Sequence, residues 1–146
     1  MSLSLRWDPS RGTSHHDLFL DVGEETYRCD SYYMAIEEDR PTVAVLEAVL
    51  AQWLRSLDAL ADGATCFWPY DWSDEYTGWV RVDRAGDTLT LHAGWSPQPA
   101  GYELSPCDYG TLEPSDWRPR DGSSPVRISV EECASAIRDS VRRLPR

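Results

Sequence analysis

The chain predicts an α+β fold in two layers, a mainly antiparallel sheet of about five to seven strands with two helices, 41–60 and 130–144, on one face. Three observations lead there. One long segment, PTVAVLEAVLAQWLRSLDAL, carries its apolar residues on a single helical face. Short runs on either side of it alternate with the two-residue period of half-buried strands. The last segment repeats the helical spacing behind a capping signal.

Taken in order, Leu3, Leu5 and Trp7 alternate with Ser4 and Arg6, so the chain opens as a strand. The segment 8–14, DPSRGTS, is a turn, and 17–22, DLFLDV, is a second apolar run. After Gly23, the Tyr-rich stretch from Thr26 to Ile36 reads as a longer third strand. Short connections make these three an antiparallel meander.

The long helix follows. Val43, Leu46, Val49, Leu50, Trp53, Leu54, Leu57 and Leu60 recur at i, i+3, i+4, i+7, while Glu47, Gln52, Arg55 and Asp58 fall on the side expected to be wet. Asp39 is placed to cap it, Pro41 suits its first turn and Gly63 its end. Beyond it, 64–68 is a brief β-type run that Pro69 is expected to stop, and 70–77, YDWSDEYT, is too polar to continue it. The runs 79–82 and 88–92 flank Asp83-Arg84-Ala85-Gly86-Asp87 as a hairpin, with Gly86 supplying positive φ. Six prolines between 94 and 125 predict a long loop, pinned by Tyr102, Tyr109, Leu112 and Trp117. Ser129 with Glu132 then matches a capping box, and Val130, Cys133, Ile137, Val141 and Leu144 mark the buried face of the last helix. Arg138, Arg142 and Arg143 complement its dipole.

With 146 residues, 41% of them hydrophobic, and seven Trp, the chain is long enough to bury a core as a single domain, 1–146. A formal net charge of −11 and a pI near 4.6 argue against nucleic acid and anionic membrane as partners and favour a basic one. The charge is concentrated: eleven acids face two bases, Arg81 and Arg84, between Ser56 and Trp117, whereas the chain from Arg118 onward is mildly basic. Lys and Asn are both absent, as a GC-rich, bacterial genome would produce. Cys29, Cys66, Cys107 and Cys133 are widely spaced and lie in no metal or redox motif, so four reduced thiols and a cytoplasmic protein without cofactor or metal are expected.

Chemistry concentrates in 67–79, FWPYDWSDEYTGW, with six aromatics beside Asp71, Asp74 and Glu75. Aromatic faces anchor a contact and carboxylates steer a cation toward it, so Asp71, Trp72, Asp74, Glu75 and Tyr76 are the expected binding residues, with all three acids exposed. Phe67, Trp68 and Trp79 serve equally well as core. An EF-hand is excluded, because Tyr76 and Val82 stand where it needs Gly and a bidentate acid. His15-His16-Asp17, and Cys107 with His92, are candidates for acid-base or nucleophilic chemistry, but neither sits in a catalytic motif, and no pair of acids from the acidic middle can be assigned to glycoside hydrolysis. Phosphate-binding glycine loops are missing.

The expectation is a binding protein rather than an enzyme, offering an acidic surface to a basic protein. In size, acidity and class the chain resembles small acidic bacterial immunity proteins, a resemblance that rests on no motif. The alternative is a small-ligand or carbohydrate-binding domain using the Trp-rich loop 67–79. A hydrolase has the least support.

Overall fold

The computed structural model describes residues 3–37, 40–110 and 112–146. The N-terminal alternation forms strand β1 (Leu3–Trp7), which pairs antiparallel with β2 (Leu18–Val22), and β2 in turn with β3 (Glu25–Cys29). The register sets Leu3 opposite Val22 and Leu5 opposite Leu20, so one face of this three-stranded sheet is apolar and buried. On the other face the Arg6 guanidinium meets Asp21 at 2.5 Å and lies 5.1 Å from the Phe19 ring.

The third strand is shorter than its Tyr content predicts. It ends at Cys29, and helix α1 (Tyr32–Glu37) takes up the remainder of the expected strand. The cause is Asp17, which is buried and accepts hydrogen bonds from the Ser31 backbone N–H at 3.1 Å and its Oγ at 2.6 Å. These bonds turn the chain at Asp30-Ser31, residue types that open helices, just where aromatic β-propensity argues for continuation.

Helix α2 (Thr42–Ala59) occupies the predicted span. Pro41 precedes it with no side-chain cap, and Asp39, the expected cap, lies outside the described residues. Leu46, Val49, Leu50, Trp53 and Leu57 are buried as predicted, Val43 and Leu54 are half-buried, and Val45 and Gln52 join the buried face, Gln52 at 7% exposed although expected on the wet side. The Gln52 amide donates to the Pro106 carbonyl at 2.8 Å and accepts from the Tyr109 N–H at 3.1 Å, so a buried polar side chain is satisfied by loop backbone.

The second sheet comprises β4 (Thr65–Trp72), β5 (Thr77–Ala85), β6 (Thr88–Ser96), the short β7 (Arg118–Pro119) and β8 (Val126–Ser129), all antiparallel. The β5–β6 hairpin is the predicted one, longer at both ends, with Gly86 at φ 61° in its turn. Pro69 does not stop β4. That strand is at the sheet edge, where a residue without an N–H costs no ladder bond, and the register shifts between Pro69 and Asp71 to absorb the irregularity. Eight described strands in two sheets thus replace a single sheet of about five to seven.

Helix α3 (Val130–Arg142) begins as predicted, with the Ser129 hydroxyl accepting from the Glu132 N–H at 3.0 Å. It packs on α2 and on β1, while α2 lies on β4. There the Trp53 and Trp68 rings stack 5.2 Å apart, and the Trp53 indole donates to the Pro69 carbonyl. The class is α+β with antiparallel sheets and a helical layer of two contacting helices, as the periodicities require.

Candidate functional site

The acidic aromatic segment straddles the end of β4, the connection 73–76 and the start of β5. Beyond the bulge, Asp71 pairs with Gly78, where a Cβ would lie 2.7 Å from that of Asp71 and 2.8 Å from the Tyr70 ring, so only glycine leaves room for both. This close pairing turns Asp71 inward. It is 2% exposed and accepts from the Asp30 N–H at 3.4 Å and from Arg120 Nη2 at 3.0 Å. Trp72 is fully buried, its indole donating to the Leu104 carbonyl at 3.1 Å.

Two of the five expected binding residues are therefore misplaced by sequence reasoning: Asp71 is a buried ion-pair partner and Trp72 a core residue. Asp74 and Glu75 are exposed, and Tyr76 is half-buried at the surface. Trp68 and Trp79 belong to the core. The connection that presents Asp74 and Glu75 is clamped from below by the proline-rich segment: Gly101 N–H donates to the Ser73 carbonyl at 2.7 Å and Thr77 Oγ1 to the Pro99 carbonyl at 2.8 Å. A Cβ at Gly101 would come within 2.3 Å of the Ser73 oxygen, which explains the glycine.

Glu75 and Tyr76 line a cavity of about 600 Å³ with Tyr27, Trp95, Arg120 and Asp121. Arg120 forms its floor. Its Nε donates to the Tyr70 hydroxyl at 3.0 Å, and the guanidinium carbon lies 5.9, 5.7 and 5.5 Å from the Tyr27, Tyr70 and Tyr76 rings. The rings of Tyr76 and Trp95 meet edge to face at 6.1 Å. Burial pushes the Asp71 carboxyl up against the pull of Arg120, and burial likewise raises the Tyr70 and Tyr76 phenols. For Arg120 burial pulls the guanidinium down, and Tyr70, Asp71 and Tyr76 together outweigh it and raise it. At neutral pH the phenols are neutral, and the Arg120 guanidinium faces the Asp71 carboxyl at 3.0 Å.

Asp74 faces a second, smaller cavity of about 320 Å³ shared with His15, Asp30, Tyr32 and Tyr33. The Tyr33 hydroxyl donates to Asp74, which holds the phenol proton up to about 12. His15 Nδ1 lies 3.4 Å from Asp30, and its ring stacks on Tyr32. His92 is engaged by Ser123 at 2.9 Å and by the Trp117 ring, whereas the segment carrying Cys107 is tied to Gln52 of α2. No disulfide joins the cysteines, and burial pushes the Cys29, Cys66 and Cys133 thiols up, away from nucleophilic reactivity. Among the described residues no group of three or more His, Cys, Asp or Glu is arranged to hold a metal, and no helix is long and apolar enough to cross a membrane.

Tyr27, Trp95, Arg120 and Asp121 escaped sequence reasoning. Arg120 reads as one more charge of a basic tail, and nothing local shows that it folds under Tyr76. No signal in the sequence singles it out, since Arg120 follows Arg118 and Pro119 as one of the arginines of the tail.

No protein-family model matches this chain, and no curated protein matches it in sequence. Among solved structures, a chain of the "CdiA-CT/CdiI toxin and immunity complex from Enterobacter cloacae" is similar in fold, with a TM-score of 0.53 over 86% of this chain and 85% of that one, at 9% identity. At that identity the likeness is one of fold.

Proposed function

We propose that this chain is a non-enzymatic, cytoplasmic bacterial protein that binds and neutralises a basic protein, in the manner of an immunity protein, through the loop bearing Asp74, Glu75 and Tyr76. The observation that carries this reading is that loop: two exposed carboxylates beside a half-buried tyrosine and an aromatic cavity, clamped in place by backbone hydrogen bonds rather than left free. Such an arrangement gives a steering field and an anchor at one spot. The net charge of −11 and the fold shared with a chain of a toxin and immunity complex agree with it.

The test is capture of partners from the native organism at low salt, by the wild-type chain and by the double variant Asp74→Ser, Glu75→Ser. The expected partner is basic, its association slows as salt rises, and the double variant binds it about tenfold or more weakly with an unchanged melting temperature. Equal capture by both proteins would remove the loop from the interface. Asp71 has no place in the variant, because replacing it would disturb the core.

The second reading, a small-ligand or carbohydrate site, draws on the cavity volume of about 600 Å³. It would have to use Tyr76 and Trp95, since Trp68, Trp72 and Trp79 are buried.

A further inference from the structure

We propose that the cavity between Tyr27, Tyr76 and Trp95 is a socket for the guanidinium or ammonium group of one basic side chain of the partner protein. This rests on the reading that the partner is basic, and adds where its anchoring residue enters.

The chemistry of the lining selects a cation. Three half-buried aromatic rings offer π faces and edges, the setting in which a partly desolvated cation is held best. The floor is electrically matched, because the Arg120 charge is met at 3.0 Å by Asp71 behind it. That leaves Glu75 and Asp121 at the rim as the unbalanced charges of the lining, so the mouth of the cavity is negative. An anion would have to pass both carboxylates to reach a guanidinium whose charge Asp71 already faces. The chain itself shows that these rings accept guanidinium groups: Arg120 lies 5.5 Å from the Tyr76 ring and Arg118 lies 5.3 Å from the Trp95 ring. Arg118 is not among the residues that line the cavity.

The geometry also gives the socket a fixed shape. Arg120 is tied on one side to Tyr70 and Asp71 of β4 and contacts Tyr27 of β3, so walls from the two sheets are joined through one side chain. A site whose walls are already held loses little on binding.

The experiment titrates the chain with N-acetyl-arginine amide, N-acetyl-lysine amide and the neutral isostere N-acetyl-citrulline amide, following indole N–H resonances by NMR. Trp95 is identified with the variant Trp95→Phe. The expected result is a saturable shift of the Trp95 indole with the arginine and lysine amides, little with citrulline, and binding about tenfold weaker in Glu75→Gln, Asp121→Asn. A Trp95 response as strong to citrulline as to arginine, or none to either cation, overturns the socket.

With a captured partner the two proposals separate. If Trp95→Leu leaves partner affinity unchanged while Asp74→Ser, Glu75→Ser abolishes it, the socket fails and the acidic loop stands. If the arginine amide shifts Trp95 but no basic protein is captured, the socket stands and the neutralising role fails.

Discussion

Asp71 and Asp74 are the same residue type in one short segment, yet one is 2% exposed and the other lies at the surface. What separates them is a partner, Arg120, far along the chain, and a bulge that turns one carboxylate inward. Local composition carries neither fact, which is why the sequence makes the cluster legible and leaves its members undivided. The buried pair has a clear consequence for stability. Asp71→Ala strands a largely buried guanidinium, and is expected to cost about 3 to 5 kcal/mol by urea denaturation. The pH dependence follows from the direction of the Asp71 shift. Because burial raises this carboxyl above its ordinary 3.8, the folded chain holds the proton more tightly than the unfolded one. Its contribution to stability is present below that value and declines as pH rises through the raised one. Asp71→Asn should remove that declining component from the stability curve measured between pH 3 and neutrality, and an unchanged curve would show that the carboxyl titrates normally.

At the scale of elements, the long helix, the β5–β6 hairpin and the capped final helix were all legible, because each is specified by its own periodicity or turn residues. The failures lie where a distant group overrides local propensity. Asp17 converts the end of a predicted strand into α1, and Pro69 is carried through an edge strand by a bulge. Gln52 is the same lesson on a helix: its place on the wheel says solvent, and the loop from Pro106 to Tyr109 covers it. The seam of α2 on β4 is the element contact on which the site depends, since it carries the strand from which the acidic loop springs. Trp53 is 1% exposed there, stacked on Trp68 and bonded to Pro69. Trp53→Ala should cost about 3 to 5 kcal/mol, read as a fall in the denaturation midpoint, and a midpoint that does not move would place the ring outside the core.

For the whole molecule the excess of acid acts in two opposite ways. A net charge of −11 repels itself within the folded chain, and the same field attracts a basic partner. Added salt screens both. Raising sodium chloride from low to about 0.5 M is therefore expected to lift the melting temperature by on the order of a few degrees while it slows partner association. Both quantities falling together would mean that specific ion pairs, rather than overall charge, govern stability.

The bond from the Leu5 N–H to Ser140 Oγ, 3.1 Å long across 135 positions of chain, joins β1 to α3. A ribosome delivers β1 before α3. The first sheet therefore emerges with Leu3 and Leu5 of β1 lacking the helix that packs on that strand, and local pairing cannot supply it. Until α3 is made that strand stays bare on one side, so a chain cut before Val130 is expected to expose apolar surface and bind a hydrophobic dye that the intact fold does not.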